Sequence, residues 1–295
     1  MAWKPRKAAA LLAALSLPGI LSTVATRAVA APPPPPAVSF PTGLNLRAGP
    51  MQVSSTVRIK PAGALPASVD LTPWALPSGN QGAVSSSPSW AIDYSAMGWY
   101  EQHDNVAGGR LAPMYTHAQL VHGRNVGTYF SDTFAIAQSQ GVDAMADYTQ
   151  GDYDYTTQPT AAEVRNAATW KLSGYNTLPV MQGTTTQNAI KTALAANHPV
   201  VLGIPVYYNF FLVGSENDTY TSMSGAFHGY HAINALGYDS TGVRIQNSWG
   251  TSWGRSGFAT LSWSFVNSSA IAAYEVLPLV ATGPAPAPLG PPAAS

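Results

Sequence analysis

The chain of 295 residues contains no cysteine, so no disulfide and no thiolate can serve its structure or its chemistry, and the fold rests on its packed core. Charge is nearly as scarce. Lys, Arg, Asp and Glu together make up 9% of the sequence, far below the roughly 25% of ordinary soluble domains, so Ser, Thr, Asn, Gly and Tyr must provide the solvated surface. No patch of Lys and Arg is dense enough to neutralise a row of phosphates, which argues against nucleic acid as a partner. The six histidines lie apart along the chain; with no cysteine beside them no segment has metal-ligand spacing, and neither a metal nor another cofactor is expected. Long apolar runs are missing too. The stretch from Ala8 to about Val24 is interrupted by Pro18 and Gly19 and is short for a bilayer span.

That stretch has instead the form of an export signal. Lys4, Arg6 and Lys7 precede it, and Ala28-Val29-Ala30 supplies small residues at a cleavage point. Residues 1–30 are therefore read as a signal peptide, and the protein as secreted, extracellular or associated with the cell envelope. Their removal takes four of the 14 basic residues and none of the 14 acidic ones; ten against fourteen leaves a formal charge of about −4. Residues 31–64, opening on Pro32 to Pro36, read as a Pro-rich linker, and residues 281–295 as a Pro/Ala-rich tail. Between them residues 65–280 form the folded domain, long enough to bury most of the surface its unfolded chain exposes.

Along the domain the hydrophobic pattern changes from helical to strand-like. Trp90, Ala91, Tyr94 and Met97 recur at three-and-four spacing and predict a helix over 88–103 with one buried stripe. Ser87 then falls at the N-cap and Pro88 at the first helical position. Further helices are expected over 128–140, ended by Gly141, and 186–197, stopped before Pro199. The β-branched and aromatic runs 200–208, 231–238, 243–247, 257–261 and 273–277 predict strands. Helices first and strands later indicate an α+β fold with segregated halves.

Three segments carry chemistry-bearing residues at fixed spacing. The first is Asn80-Gln81-Gly82-Ala83-Val84-Ser85-Ser86-Ser87-Pro88-Ser89-Trp90-Ala91, the second Gly229-Tyr230-His231-Ala232 through Gly237-Tyr238, and the third Gln246-Asn247-Ser248-Trp249-Gly250. In this order they resemble the papain-like cysteine peptidases (family C1), and Leu65-Pro66-Ala67-Ser68-Val69-Asp70 resembles the start of the mature domain. The resemblance runs from about Leu65 to Leu279. It implies a two-subdomain fold, helical on one side and an antiparallel sheet or barrel on the other, with a peptide-binding cleft between. It also implies roles: His231 as base and acid, Asn247 as its orienter, Gln81 as oxyanion donor, and Trp249 as cover over the His–Asn bond. Position 87, six residues after Gln81, is where the family keeps its nucleophilic cysteine. Here it is Ser87.

A serine hydroxyl is too weak an acid to rest as an alkoxide, so it needs a neutral imidazole acting as general base during attack. The site is therefore expected to be catalytically impaired as a cysteine-type peptidase. Three readings stay open: a Ser-His-Asn hydrolase acting on peptides or esters, a pseudoenzyme that holds extended peptides without cutting them, and an envelope-associated structural protein. The expected partner is a peptide or protein in the cleft, the expected state a monomer. Residues 31–64 are too short and too rich in proline to match the helical inhibitory propeptide that many family members carry, so zymogen control is not expected.

Overall fold

The computed structural model describes residues 40–46, 64–106 and 108–280, so the expected signal peptide, the tail and most of the linker lie outside the described residues. Helices come first and strands second. The first helix, α1, consists of three contiguous stretches, Ser87–Ser89, Trp90–Met97 and Gly98–His103. Proline is tolerated at its start because first-turn amides have no intrahelical acceptor. The middle stretch is wound as a π-helix, whose i→i+5 bonds widen each turn.

The 3.6-residue spacing predicted one buried stripe; instead every residue from Ser86 to Glu101 is buried. The reason is position. α1 passes through the centre of the molecule, where Trp99 Nε1 donates to the Leu71 carbonyl at 2.7 Å and the Tyr100 hydroxyl to the Val276 carbonyl at 2.7 Å. Its start is also displaced: Ser86 holds the N-cap position, with no side-chain cap bond, and Ser87 is the first helical residue. Around α1 lie α2 (Pro113–Val121), α3 (Phe130–Ser139) and α4 (Ala161–Ala167). Neither α2 nor α4 was anticipated, although the capping box of α4 is written in the sequence. Thr160 Oγ accepts the Glu163 amide at 3.3 Å, and Glu163 Oε2 accepts the Thr160 amide at 2.7 Å.

The second half is an eight-stranded sheet. Its centre is β5 (Phe227–Tyr238), paired antiparallel with β3 (Val200–Tyr207) on one side and β6 (Gly242–Gln246) on the other. Beyond β3 come β8 (Ala272–Val276) and the edge strand β2 (Tyr175–Thr177); beyond β6 come β7 (Phe258–Ser262) and β4 (Thr219–Tyr220). Only β4 pairs parallel, and the two-residue β1 (Val69–Asp70) joins the far end of β5. Helices α5 (Thr184–Ala195), α6 (Tyr208–Phe211) and α7 (Trp263–Ser269) accompany the sheet. Strand β5 starts four residues before the predicted boundary. Phe227 to Tyr230 lack the buried alternation that marks a strand, yet they continue its ladder to β3, with an irregularity between Val206 and Tyr207.

One hydrophobic cluster runs through both halves, from Ile92, Met97, Leu111 and Phe134 to Val201, Ile233 and Ile245. This shared core takes the place of covalent staples in a chain without cysteine. Among the described residues no helix is long and apolar enough to cross a membrane. Residues 40–46, expected as solvated linker, pack against the domain instead, with Leu44 buried.

Candidate active site

Ser87 is brought to the sheet by the start of α1. It is completely buried, and its Oγ accepts the backbone N–H of Ala232 at 3.2 Å. The contact places the helix N-terminus beside β5, one residue from His231.

His231 lies on β5 with its ring fully buried, and its Nε2 is 2.7 Å from Asn247 Oδ1. Asn247 follows the last residue of β6. The same Oδ1 accepts the Ser248 backbone N–H at 2.7 Å, a group that can only donate, so the amide orientation is set. Nε2 of His231 therefore carries the hydrogen, and Nδ1 holds the lone pair. Nδ1 is buried with no hydrogen-bond partner. Burial pushes the imidazole down to about 4, against a smaller upward pull from Asn247, so the ring is neutral throughout the ordinary range. Trp249 stacks on it, with ring centroids 4.6 Å apart and an interplanar angle of 30°.

Gln81 is tied to the residue after Asn247. Its backbone N–H donates to the Ser248 carbonyl at 2.9 Å, and its Oε1 accepts the Ser248 hydroxyl at 2.7 Å. Its Nε2 donates to the Val84 carbonyl at 2.8 Å and the Thr42 carbonyl at 2.9 Å, groups that can only accept, which sets the amide orientation. Asn80 bridges to Trp249, and the Gly250 amide donates to the Gly79 carbonyl at 2.8 Å. The two loops thus form one zipper that couples Gln81 to Asn247. Gly82 makes the intervening turn at φ +57°, and a side chain there would meet the Tyr153 ring at 2.7 Å. Ser248 was not singled out in the sequence. Its position inside a motif was visible, but a tether across loops far apart in the chain leaves no periodicity.

The segment 40–46 lies over this network. Phe40 stacks on Trp249 at 4.8 Å and 9°, while Trp249 Nε1 donates to the Pro41 carbonyl at 2.9 Å. Gly43 and Leu44 donate their amides to the Tyr230 carbonyl at 3.3 and 3.1 Å. On the helical side Thr128 donates to the Gly43 carbonyl at 2.9 Å and accepts the Asn45 amide at 2.8 Å. The segment is far shorter than a helical propeptide, but main-chain hydrogen bonds to both walls require only an extended strand.

Ser87, His231, Asn247 and Gln81 therefore meet at the junction of the helical and sheet halves, as their motif order requires. Among the described residues no group of His, Asp and Glu could hold a metal ion.

This architecture, a central helix whose N-terminus abuts a strand-borne histidine paired with an asparagine just past the next strand, defines a papain-like fold. The sequence profile of the papain family cysteine proteases matches residues 85–279, and the chain belongs to that family. It is 27% identical over 204 residues to digestive cysteine proteinase 1 of Homarus americanus, covering 65% of this chain and 60% of that protein. A cathepsin L-like proteinase of Phaedon cochleariae is 27% identical over 240 residues, 74% of this chain and 67% of its own. Among solved structures, xylellain, a cysteine protease from Xylella fastidiosa, superposes with a TM-score of 0.68 at 20% identity, covering 80% of this chain and 96% of xylellain. The chain thus spans about 60% of the length of the lobster proteinase.

Proposed function

We propose that this protein is a secreted peptide-binding member of the papain family whose Ser87–His231–Asn247–Gln81 site is impaired for proteolysis. One observation carries the reading: the candidate nucleophile and the candidate base are not engaged with each other. Ser87 Oγ accepts the Ala232 amide, and His231 Nδ1 has no hydrogen-bond partner. A thiol at a helix N-terminus can be held as thiolate by the dipole and a nearby imidazolium. A hydroxyl gains nothing comparable and depends on direct proton removal by the imidazole. The export signal read in residues 1–30 supports secretion, and the family fold supports an extended peptide in the cleft.

A second reading, hydrolysis through Ser87, is favoured by the state of His231. A base that acts on serine must be neutral, and burial keeps this imidazole so at any pH above about 4. Intact mass after exposure to a fluorophosphonate separates the two. The proposal expects no adduct on the native protein. An adduct on the native protein that is lost in Ser87→Ala would establish Ser87 as an activated nucleophile and replace the first reading by the second.

A further inference from the structure

The sheet carries a cavity at Arg244 that plays no part in the site described above. We propose that it is a second binding site, taking a small carboxylate with an apolar body and holding its charge on the Arg244 guanidinium.

The cavity follows from the alternation of β6. Val243 and Ile245 are fully buried in the shared core, so Arg244 and Gln246 project from the other face of the strand. Residues 75–78 lie over that face. They are pinned at one end of it, where Gln246 Nε2 donates to the Leu76 carbonyl at 2.6 Å and the Ser78 hydroxyl donates to the Asn247 carbonyl. Beside Arg244 the segment stands off from the strand, and a cavity of about 380 Å³ remains. Leu76, Pro77 and Phe258 give it apolar walls, while Thr251 and Ser256 add hydroxyls. Apolar walls with a few convergent polar groups are the ordinary make-up of a small-molecule site.

Charge decides what the cavity accepts. Asp218 Oδ2 receives Arg244 Nη1 at 2.6 Å and Arg255 Nε at 3.2 Å, so two guanidinium groups share one carboxylate and one positive charge is left over. Among the described residues Arg244 donates only through Nη1. Its Nε and Nη2 edge is therefore available, and a planar guanidinium edge takes a carboxylate through two parallel hydrogen bonds. The group is also steadied by the Phe258 ring, whose centroid lies 5.7 Å away. No acidic side chain lines this cavity. A neighbouring hollow of about 360 Å³ shares Thr72 and Arg244 but is lined by Asp70 and Asp239 as well, and those carboxylates would repel the same ligand. An anion is thus directed to one side of Arg244, where its apolar body meets Leu76, Pro77 and Phe258.

The probe is N-acetyl-L-phenylalanine, titrated into the full chain and followed by saturation-transfer NMR. A ligand of this size in an open cavity should bind with a Kd on the order of 1 mM. Its neutral amide should bind roughly tenfold more weakly, and equal binding of acid and amide would overturn recognition of the carboxylate. Inorganic phosphate at the same concentration should leave the acid bound; displacement by phosphate would overturn the role of the apolar walls. Two variants locate the site. Arg244→Gln removes the charge and should fold, because Arg255 still pairs with Asp218. Thr251→Trp leaves Arg244 in place and fills the cavity from an exposed position. Both should weaken binding of the acid by roughly tenfold, with thermal melting by circular dichroism to verify the fold. Unchanged affinity in either folded variant would put the acid elsewhere on the protein and sink the proposal. Neither substitution touches Ser87, His231, Asn247 or Gln81, so the result does not depend on whether that site is impaired.

Discussion

The core around α1 and the β8 end of the sheet bury ionisable side chains in opposite ways. In the helical half Glu101 is 1% exposed with neither carboxyl oxygen hydrogen-bonded, and burial pushes it up to about 9. Asp93, inside the π-wound stretch of α1, is driven upward by burial against a smaller opposing effect of the Thr116 hydroxyl. His117 on α2 has no partner at either ring nitrogen and is pushed down to about 4 by burial. In the sheet half Glu275 is equally hidden, but His198 Nδ1 lies 2.6 Å from Oε1 and Asn176 donates to Oε2 at 2.8 Å. Burial alone would raise Glu275; those hydrogen bonds outweigh it and hold the carboxyl below its usual range. Glu101, Asp93 and His117 are kept neutral, at a cost in stability, whereas Glu163 on α4 is held below its usual range by donors from Thr160, Thr149 and Gln150. Glu275 likewise keeps its charge because donors are supplied for it.

The largest effect should come from breaking the pairing in the sheet. His198→Leu leaves the Glu275 carboxylate buried with Asn176 alone and is expected to destabilise the protein by about 3 kcal/mol, read as a lower midpoint in urea at unchanged slope. An effect near zero would mean that Glu275 gains its partners from solvent.

The helical half should respond with the opposite sign. Glu101 ionises near 4.5 in the unfolded chain and near 9 in the folded one. Its contribution is thus fully present below pH 4.5 and is lost progressively as pH rises towards 9. Glu101→Gln removes that loss and should stabilise the protein at pH 8 relative to its effect at pH 4.5. His117 runs the other way: its contribution is present above 6.5 and is lost as pH falls towards 4, so His117→Leu should flatten the acid side of the stability profile. A Glu101→Gln protein with an unaltered alkaline limb would show that the carboxyl is already ionised when folded.

The smallest effect tests ordinary local structure. Thr160→Ala removes one side of the α4 capping box and should cost about 1 kcal/mol, read as a small drop in the urea midpoint. No drop would mean that the Glu163 side of the box holds the helix end by itself.

Legibility in the sequence followed how local the controlling interaction is. Strands β3, β6, β7 and β8 were found within a few residues because β-branched runs and turn residues mark them along the chain. The helix carrying Ser87 was found from its spacing, but its buried polar residues were not. Asp93, Ser95 and Glu101 are interior because α1 crosses the molecule's centre, a fact set by what packs around it. Site residues on motifs could be named at once. The Ser248 tether to Gln81 and the grip of the site on residues 40–46 could not, since each joins parts of the chain that no local pattern relates.

What the sequence determined by itself was the family, the α+β order and the four candidate site residues, because these depend on composition, spacing and short motifs. It also excluded disulfides outright. Tertiary structure decided that Ser87 Oγ faces the Ala232 amide rather than His231 Nδ1, that the imidazole is neutral, and that a segment read as linker lies over the site. The physical reason is common to all three. A hydrogen-bond partner and a degree of burial belong to a residue's three-dimensional surroundings, which form only when the helical and sheet halves meet.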